Sequence, residues 1–275
     1  MNIRQFTIES SEGLPIRGTL SVPRDADCLV LVIHGFKGFR QWGFFPWICE
    51  HFGRADIASV RFDMSRNGVG ESSEQFDRLD LFEDDTYSVQ IEDLRSIDRF
   101  VNEDDALRDL PRVVLGHSRG GAIALLGSKH LSRLRGVVTW ASISRVDRWD
   151  EATRAQWLQD GFQEVLNQRT GQRMRVSLAM LEDFERDPAG LNVLEAAKGL
   201  EVPLLAIHGS IDESVAVEES RAIAREVRNS SLLVIEGAGH TFGAIHPLID
   251  VPFALRLAAT VTQSFIRAHS LRGRA

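Results

Sequence analysis

Short apolar segments that alternate with longer helical segments constrain the fold of this chain more than any other feature. Six runs rich in β-branched residues, each bounded by Gly, Pro or Asp, lie at Cys28–Ile33, Ile57–Phe62, Arg112–Leu115, Gly136–Trp140, Pro203–Ile207 and Leu232–Ile235. Stretches with helical periodicity lie near Trp42–Phe52, Val89–Val101, Arg119–His130, Val217–Val227 and Pro252–Ala268. Continuous apolar runs are typical of strands buried on both faces of a parallel sheet, so the pattern predicts an α/β fold.

Two regions depart from this alternation. Residues 1–22 contain two short segments broken at Gly13-Leu14-Pro15, which predict an antiparallel hairpin at the sheet edge. Residues 143–198 are rich in Arg, Asp, Gln and Trp, contain no plausible strand and are too long for a connecting loop. We therefore predict a core of residues 1–142 and 199–275 and a helical insertion, or lid, over residues 143–198 beyond the carboxyl ends of the strands, where ligands bind.

Composition and charge exclude several functions. The 275 residues are 43% hydrophobic, and 32 Lys and Arg against 39 Asp and Glu give a net charge of −7, which argues against nucleic-acid partners. The basic residues Arg267, Arg272 and Arg274 are interpreted as a solvated helix end. Cys28 and Cys49 cannot form a disulfide framework and are interpreted as buried thiols. Without a secretory signal or a membrane-length apolar run, the sequence predicts a cytoplasmic protein with no membrane partner, and a homodimer is compatible with it.

A glycine-rich turn between a strand and a helix carries the strongest chemical signal. Gly116-His117-Ser118-Arg119-Gly120 and a further glycine, Gly121, follow an apolar strand and precede an apolar helix. This is the context of a nucleophile elbow, in which a serine hydroxyl projects above the sheet and flanking glycines avoid collisions with neighbouring backbone. The pattern predicts Ser118 as a catalytic nucleophile, and the alternative is a serine in a tight turn.

A serine nucleophile needs a base and a carboxylate that orients the base. Asp212 follows the run at Pro203–Ile207, and His240 follows the next run, in the order Ser, acid, His that such folds use. We predict Asp212 and His240 as the remaining members of a triad. Glu213 is the rival acid, and Asp147 is a more distant one.

The remaining polar groups of the predicted site are backbone donors. The loop His34-Gly35-Phe36-Lys37-Gly38 follows the first run, so the backbone N–H groups of Phe36 and Arg119 are predicted to form an oxyanion hole.

His34 is interpreted as a loop-holding residue, and the ring of His117 is expected to pack beneath the site. The other histidines, His51, His130, His208, His246 and His269, show no partner signal. No pair has the His-Glu-x-x-His spacing, so we expect no metal or other cofactor.

Apolar side chains of the insertion are candidates for substrate binding. Trp149, Trp157 and Phe162 are the main candidates, and Met174, Met180, Leu181 and Phe184 follow them. The alternative is that these side chains form the insertion's own small core.

Together these motifs resemble serine hydrolases of the α/β-hydrolase superfamily. The matching pieces are His34-Gly35-Phe36, the turn around Ser118, His208-Gly209-x-x-Asp212 and Gly237-Ala238-Gly239-His240. Phe82-Glu83-Asp84-Asp85-Thr86 with Ile91-Glu92-Asp93-Leu94 is similar to microbial cinnamoyl and feruloyl esterases, and His34-Gly35-Phe36-Lys37-Gly38 is similar to the dienelactone-hydrolase-like and serine-aminopeptidase-like groups. The resemblance implies a mostly parallel sheet of about eight strands flanked by helices and hydrolysis of a carboxylic ester through an acyl-enzyme.

The expected partner is therefore a small or medium ester molecule, cleaved by a Ser-His-Asp triad. A peptidase or thioesterase would use the same triad. A ligand-binding member of the fold without turnover is the alternative from another class.

Overall fold

The computed structural model describes residues 1–71 and 74–270 as an α/β sandwich. Its strands are β1 (Asn2–Glu9), β2 (Pro15–Val22), β3 (Cys28–Ile33), β4 (Ile57–Phe62), β5 (Arg112–His117), β6 (Leu134–Trp140), β7 (Phe162–Leu166), β8 (Arg173–Ser177), β9 (Leu204–Gly209) and β10 (Ser230–Ile235). Its α-helices are α1 (Phe44–Gly53), α2 (Leu79–Glu83), α3 (Tyr87–Glu103), α4 (Arg119–Gly127), α5 (Glu151–Asp160), α6 (Ala179–Arg186), α7 (Val193–Lys198), α8 (Val217–Glu226) and α9 (Phe253–Ser270).

Eight strands form the central sheet in the order β1-β2-β4-β3-β5-β6-β9-β10. The pairs from β4 to β10 are parallel, whereas β1 pairs antiparallel with β2, and β2 antiparallel with β4. All six predicted strands and the antiparallel edge hairpin are confirmed. The parallel order brings the carboxyl ends of β3, β5, β9 and β10 to one edge of the sheet, which positions the loops that follow them.

Apolar side chains alternate between the two faces of the sheet. In β3, Leu31 and Ile33 belong to one buried cluster, whereas Val30 and Val32 belong to the other. The first cluster lies under α3, α4 and α8, and the second lies under α1 and α9. Because both faces are covered, the strands read as continuous apolar runs in the sequence.

The region 143–198 is not purely helical, and the expectation that it contains no strand is wrong. β7 and β8 pair as an antiparallel hairpin between α5 and α6. In β8, Met174 and Val176 are buried while Arg173 and Arg175 are exposed, which is the two-residue period of a half-buried strand. Each strand has only five residues, and two or three apolar positions between charged ones are too few for the alternating pattern to be recognised in the sequence.

The structure also places the two cysteines and the first of the three basic residues that lie near the end of the sequence. Cys28 and Cys49 are free and buried, as expected. Arg267 is not a simple solvated residue, because its guanidinium donates hydrogen bonds to the carboxylate of Asp27 and the carbonyl of Ala55. Arg272 and Arg274 lie outside the described residues. Within the residues described, no helix has the length and apolar character that crossing a membrane requires.

Candidate active site

Ser118 lies at the sharp turn between β5 and α4. Its φ of 57° and ψ of −122° fall in a region that residues with a side chain rarely adopt. A Cβ atom at Gly116 would overlap the backbone of Gly120, and one at Gly120 would lie 2.6 Å from the carbonyl oxygen of Ile33. Glycine is therefore required on both sides of Ser118, and the predicted strand-turn-helix geometry is confirmed.

The predicted acid and base lie together at the ends of two neighbouring strands. Asp212 follows β9 and His240 follows β10, and the Nδ1 atom of His240 lies 2.7 Å from Oδ2 of Asp212. Oδ1 of Asp212 accepts hydrogen bonds from the backbone N–H groups of Ser214 (2.8 Å) and Val215 (3.0 Å). These bonds fix the carboxylate so that one oxygen faces the imidazole.

The rival carboxylates occupy other positions. Glu213 is exposed, and Asp147 forms a surface ion pair with Arg145. By contrast, the side chain of Asp212 is fully buried. Burial alone would raise the pKa of Asp212, but hydrogen bonds from His208, His240 and the backbone of Val215 outweigh it and hold that pKa below its usual range.

His208, which sequence reasoning set aside, contacts the same carboxylate. Its Nε2 atom lies 3.2 Å from Oδ2 of Asp212 and 2.9 Å from the carbonyl oxygen of Val215, while its Nδ1 lies 2.6 Å from Oγ of Ser220. Both neighbours of Nε2 are acceptors, so this nitrogen carries the proton and Nδ1 accepts from the hydroxyl of Ser220. His208 is completely buried. The only sequence signal for this contact is its position four residues before Asp212.

We expect His208 to be a positioning residue that orients Asp212. The replacement His208→Phe removes one buried hydrogen bond to a charged group, and the lost free energy corresponds to about a tenfold lower kcat for a reaction that uses the Asp212–His240 pair. Loss of the donor raises the pKa of Asp212 toward its usual range, so activity should fall off at a higher pH on the acid side of the profile than in the wild type. The measurement is a pH profile of kcat and KM. His208→Gln, whose amide can donate in place of Nε2, should recover part of the activity. A uniform loss across the pH range with a lower Tm would indicate a purely structural role.

Ser118 and His240 line one cavity of about 390 Å³. Its apolar wall is formed by Phe36, Ile143, Val146, Trp149, Trp157, Val165, Val176 and Met180. Its polar lining is formed by Lys37, Tyr87, Arg119, Arg148, Gln163 and Ser214, and the apolar Val215, in the turn after Asp212, also lines it. The cavity therefore joins the turn after β5, the loop after β10 and the region 143–198.

The predicted substrate-binding residues divide into two groups. Trp149 and Trp157 line the cavity and lie edge to face, with their ring centroids 5.7 Å apart. Phe162 is not part of the cavity lining, because its ring packs against the guanidinium of Arg175, 4.2 Å away. Phe162 therefore lies in the hairpin outside the lining of this cavity, and its role in substrate binding stays a prediction.

The other four apolar candidates of the insertion also divide. Met180 lines the cavity, whereas Met174 and Leu181 belong to the buried core. Phe184 packs edge to face against Trp149, at 5.8 Å between centroids. The region therefore supplies one wall of the cavity and buried side chains that belong to the same cluster as the core on one face of the sheet.

The loop after β3 lies directly against the turn that carries Ser118. A Cβ atom at Gly35 would lie 3.0 Å from Cβ of Ser118 and 3.0 Å from the carbonyl oxygen of His117. Phe36 and Arg119, the predicted oxyanion donors, both line the cavity beside Ser118. The backbone of this loop therefore lies next to Ser118.

His34 holds this loop, as predicted. Its Nδ1–H donates to the carbonyl of Gly35 (2.9 Å), and its Nε2 accepts from the backbone N–H of Met64 (3.2 Å). Burial lowers the pKa of His34 to about 4, so the ring is neutral at physiological pH and has both nitrogens occupied.

His117 supports His240 from the other side. Its Nε2 lies 2.9 Å from the carbonyl oxygen of His240, to which it donates, and the two ring centroids are 4.7 Å apart. Burial and the neighbouring His240 lower the pKa of His117 to about 3. A neutral ring at this position fixes the backbone of His240 without placing a second positive charge beside the imidazole.

Sequence comparison gives the family. Residues 29–252 match the family model described as "Alpha/beta hydrolase family". The chain belongs to the alpha/beta hydrolase family. No curated protein matches this hydrolase.

Several solved structures share the fold of this hydrolase. Est1E from Butyrivibrio proteoclasticus, solved with ferulic acid bound, has a TM-score of 0.72 at 19% identity, covering 96% of this chain and 98% of that chain. The esterase domain of a Rhodothermus marinus protein has a TM-score of 0.69 at 18% identity, covering 98% and 100%. Dienelactone hydrolase from Anabaena variabilis has a TM-score of 0.65 at 16% identity, also covering 98% and 100%. At these identities the likeness shows the fold alone.

The side chain of Arg119 connects the helix after Ser118 to the segment Phe82–Thr86 of this hydrolase. Its guanidinium lies 3.6 Å from the carboxylate of Asp85 and 4.2 Å from the ring centroid of Tyr87. Burial raises the pKa of Asp85 to about 6, although Arg119 and a hydrogen bond from Gln90 oppose that shift. These contacts anchor the first turn of α4, where the predicted oxyanion donor lies.

Metal ligands are a separate question. The described residues contain no group of three or more His, Cys, Asp and Glu side chains arranged to hold a metal ion.

Proposed function

We propose that this hydrolase cleaves small or medium carboxylic esters through an acyl-enzyme on Ser118. The observation that carries the proposal is that Ser118 and His240 line one cavity while Asp212 holds Nδ1 of His240 at 2.7 Å. This hydrogen bond keeps the proton of His240 on Nδ1 and leaves Nε2 free to accept one. An imidazole in that tautomer can deprotonate a serine hydroxyl.

In the first half-reaction, Oγ of Ser118 attacks the ester carbonyl carbon and gives its proton to Nε2 of His240. The backbone N–H groups of Phe36 and Arg119 stabilise the oxyanion that develops on the carbonyl oxygen. When the tetrahedral intermediate collapses, the bond to the alcohol oxygen breaks, and His240 returns the proton to the departing alcohol. Asp212 stabilises the imidazolium while it exists.

In the second half-reaction, water replaces the alcohol. His240 takes a proton from the water as its oxygen attacks the acyl carbon, and the same backbone donors stabilise the second oxyanion. Collapse breaks the bond to Oγ, which regains its proton from His240, and the carboxylic acid leaves. The apolar wall with Trp149 and Trp157 is suited to hold the hydrocarbon part of the ester.

Two comparisons support an ester as the substrate. Structures of an esterase domain and of Est1E with ferulic acid bound share the fold over nearly the full chain. An aromatic acid part would match the cavity wall, because aromatic rings pack favourably edge to face against Trp149 and Trp157. We therefore include aromatic acyl esters among the proposed substrates.

Covalent labelling tests the nucleophile. A fluorophosphonate probe should label the wild-type protein at Ser118, as located by peptide mass spectrometry, and should not label Ser118→Ala. Ser264→Ala, which removes an exposed hydroxyl from α9, is the matched control and should label normally. Unchanged labelling of Ser118→Ala would contradict the proposal.

A turnover panel tests the reaction. p-Nitrophenyl acyl esters should be hydrolysed faster than amino-acyl anilides or acyl thioesters of the same acyl groups. Faster turnover of anilides or thioesters would instead identify a peptidase or a thioesterase. A stoichiometric burst with no steady state would identify a binding protein.

A further inference from the structure

The charged side chains that line the cavity are all cationic. Lys37, Arg119 and Arg148 contribute to its lining, and no lining residue among those described is Asp or Glu. This contrasts with the protein as a whole, whose net charge is −7. The cavity is therefore a positively charged site in an acidic protein. Whether each of the three cations already has an anionic partner in the protein decides which of them is available to a ligand.

Two of the three cations already have carboxylate partners. Arg119 is buried and lies 3.6 Å from Asp85. Arg148 lies 3.4 Å from Glu219 and donates to the carbonyl of Ser214 at 3.1 Å. Their charges are balanced within the protein, so neither guanidinium needs a ligand to compensate it.

Lys37 differs from both arginines. Its ammonium donates to the backbone carbonyl of Leu166 at the end of β7 (2.9 Å) and lies 5.7 Å from the ring centroid of Phe36. It forms no ion pair with any carboxylate of the described residues. An ammonium has three donors, and a carbonyl oxygen satisfies one of them without balancing the charge. Burial lowers the pKa of Lys37, which reflects the cost of a half-buried cation without an acidic neighbour.

The position of Lys37 relates this charge to the reaction. It is the residue after Phe36, whose backbone N–H is proposed to hold the oxyanion, and it lines the same cavity as Ser118. An ester bound at Ser118 that extends along the cavity to Lys37 would bring an anionic group to the ammonium. A carboxylate would both balance the charge and accept the two unused donors, as a charge-assisted hydrogen bond.

We propose that the substrate carries a free, ionised carboxylate group in addition to the ester bond that is cleaved, and that Lys37 pairs with that carboxylate. The proposal rests on the proposed function for its reaction but on Lys37 for its selectivity. It predicts that a carboxylate ester is preferred to the neutral carboxamide of the same shape. The alternative is that Lys37 only ties the loop after β3 to the hairpin through Leu166.

Paired esters test selectivity in turnover. In the first pair, monomethyl terephthalate, which carries its charge on the acid part, is compared with the neutral methyl 4-carbamoylbenzoate. In the second pair, 4-acetoxybenzoate, which carries its charge on the alcohol part, is compared with the neutral 4-acetoxybenzamide. We expect kcat/KM for the carboxylate to exceed that for the carboxamide at least about tenfold in one of the pairs. The preference should decrease as salt is added.

Matched variants attribute the preference to Lys37. Lys37→Gln removes the charge but keeps an N–H donor for Leu166, so the carboxylate preference should disappear. Lys37→Arg should retain it. Lys198→Gln makes the same charge change on α7, away from the cavity, and should leave the preference as in the wild type. A preference that survives Lys37→Gln overturns the proposal, as does a wild type that hydrolyses both members of each pair with equal kcat/KM.

Binding to Ser118→Ala separates this proposal from the proposed function. Calorimetric titration of that variant with the intact ester pairs requires no turnover. Tighter binding of a carboxylate ester, lost in Ser118→Ala/Lys37→Gln, supports the pairing with Lys37 even if the wild type hydrolyses no ester. Equal binding of both members, or no binding of either carboxylate ester, overturns it, even if neutral esters are hydrolysed through Ser118.

Discussion

Replacement of Ser118 by Ala is expected to lower kcat for a p-nitrophenyl ester by at least about 10⁴-fold. The hydroxyl is the proposed attacking atom, and the strained turn that holds it presents no second nucleophile at the same place. Steady-state kinetics on the purified variant measure the loss. Its Tm should be close to that of the wild type, because Ala keeps the Cβ atom and the backbone conformation of the turn.

Comparison with His240 shows whether the two residues act as one unit. His240→Ala should lose a similar factor, since without the imidazole the hydroxyl stays protonated. The double variant Ser118→Ala/His240→Ala should then be no slower than either single variant. If the two losses multiplied, Ser118 and His240 would act in separate steps, which would contradict the proposed proton transfer between them.

The sheet was predictable from the sequence because strands that are buried on both faces appear as continuous apolar runs. The runs at Cys28–Ile33 and Ile57–Phe62 coincide with β3 and β4 to the residue. The hairpin of β7 and β8 contains no continuous apolar run, since alternate residues such as Arg173 and Arg175 face solvent. Its strand character depends on packing against residues distant in sequence, which a local pattern does not contain.

The candidate site was predictable to the extent that it depends on turns and strand ends. Ser118 follows β5 directly, and Asp212 and His240 lie in the loops after β9 and β10, so chain order alone placed them at one edge of the sheet. His208 was missed because its role depends on Ser220 and on the fold of the following turn. The sequence could not show which side of the hairpin Phe162 faces, because an aromatic residue in an amphipathic hairpin can face either side, and here it packs against Arg175.

The Asp212→Asn variant is expected to lower kcat by about 10⁴-fold without unfolding the protein. The replacement keeps the shape of the side chain but changes which atom can donate. Oδ1 of Asp212 accepts hydrogen bonds from the backbone of Ser214 and Val215, so the amide oxygen of Asn must take that place. The amide nitrogen is then directed at Nδ1 of His240 and at the protonated Nε2 of His208, where Asp212 has a carboxylate oxygen that accepts from both. The unfavourable contact between two donors at His208 should lower the Tm.

This orientation reverses the hydrogen bond to the imidazole. Nδ1 of His240 must accept from the amide, so the ring proton moves to Nε2, which can no longer take the proton of Ser118. Steady-state kinetics and a thermal melt of Asp212→Asn measure the loss and the retained fold. The matched control is Glu213→Gln, which makes the same chemical change on the exposed neighbouring carboxylate and should leave kcat almost unchanged. If Glu213→Gln lost activity and Asp212→Asn kept it, the orienting acid would be Glu213, and the fixed tautomer on which the proposed reaction depends would need another source.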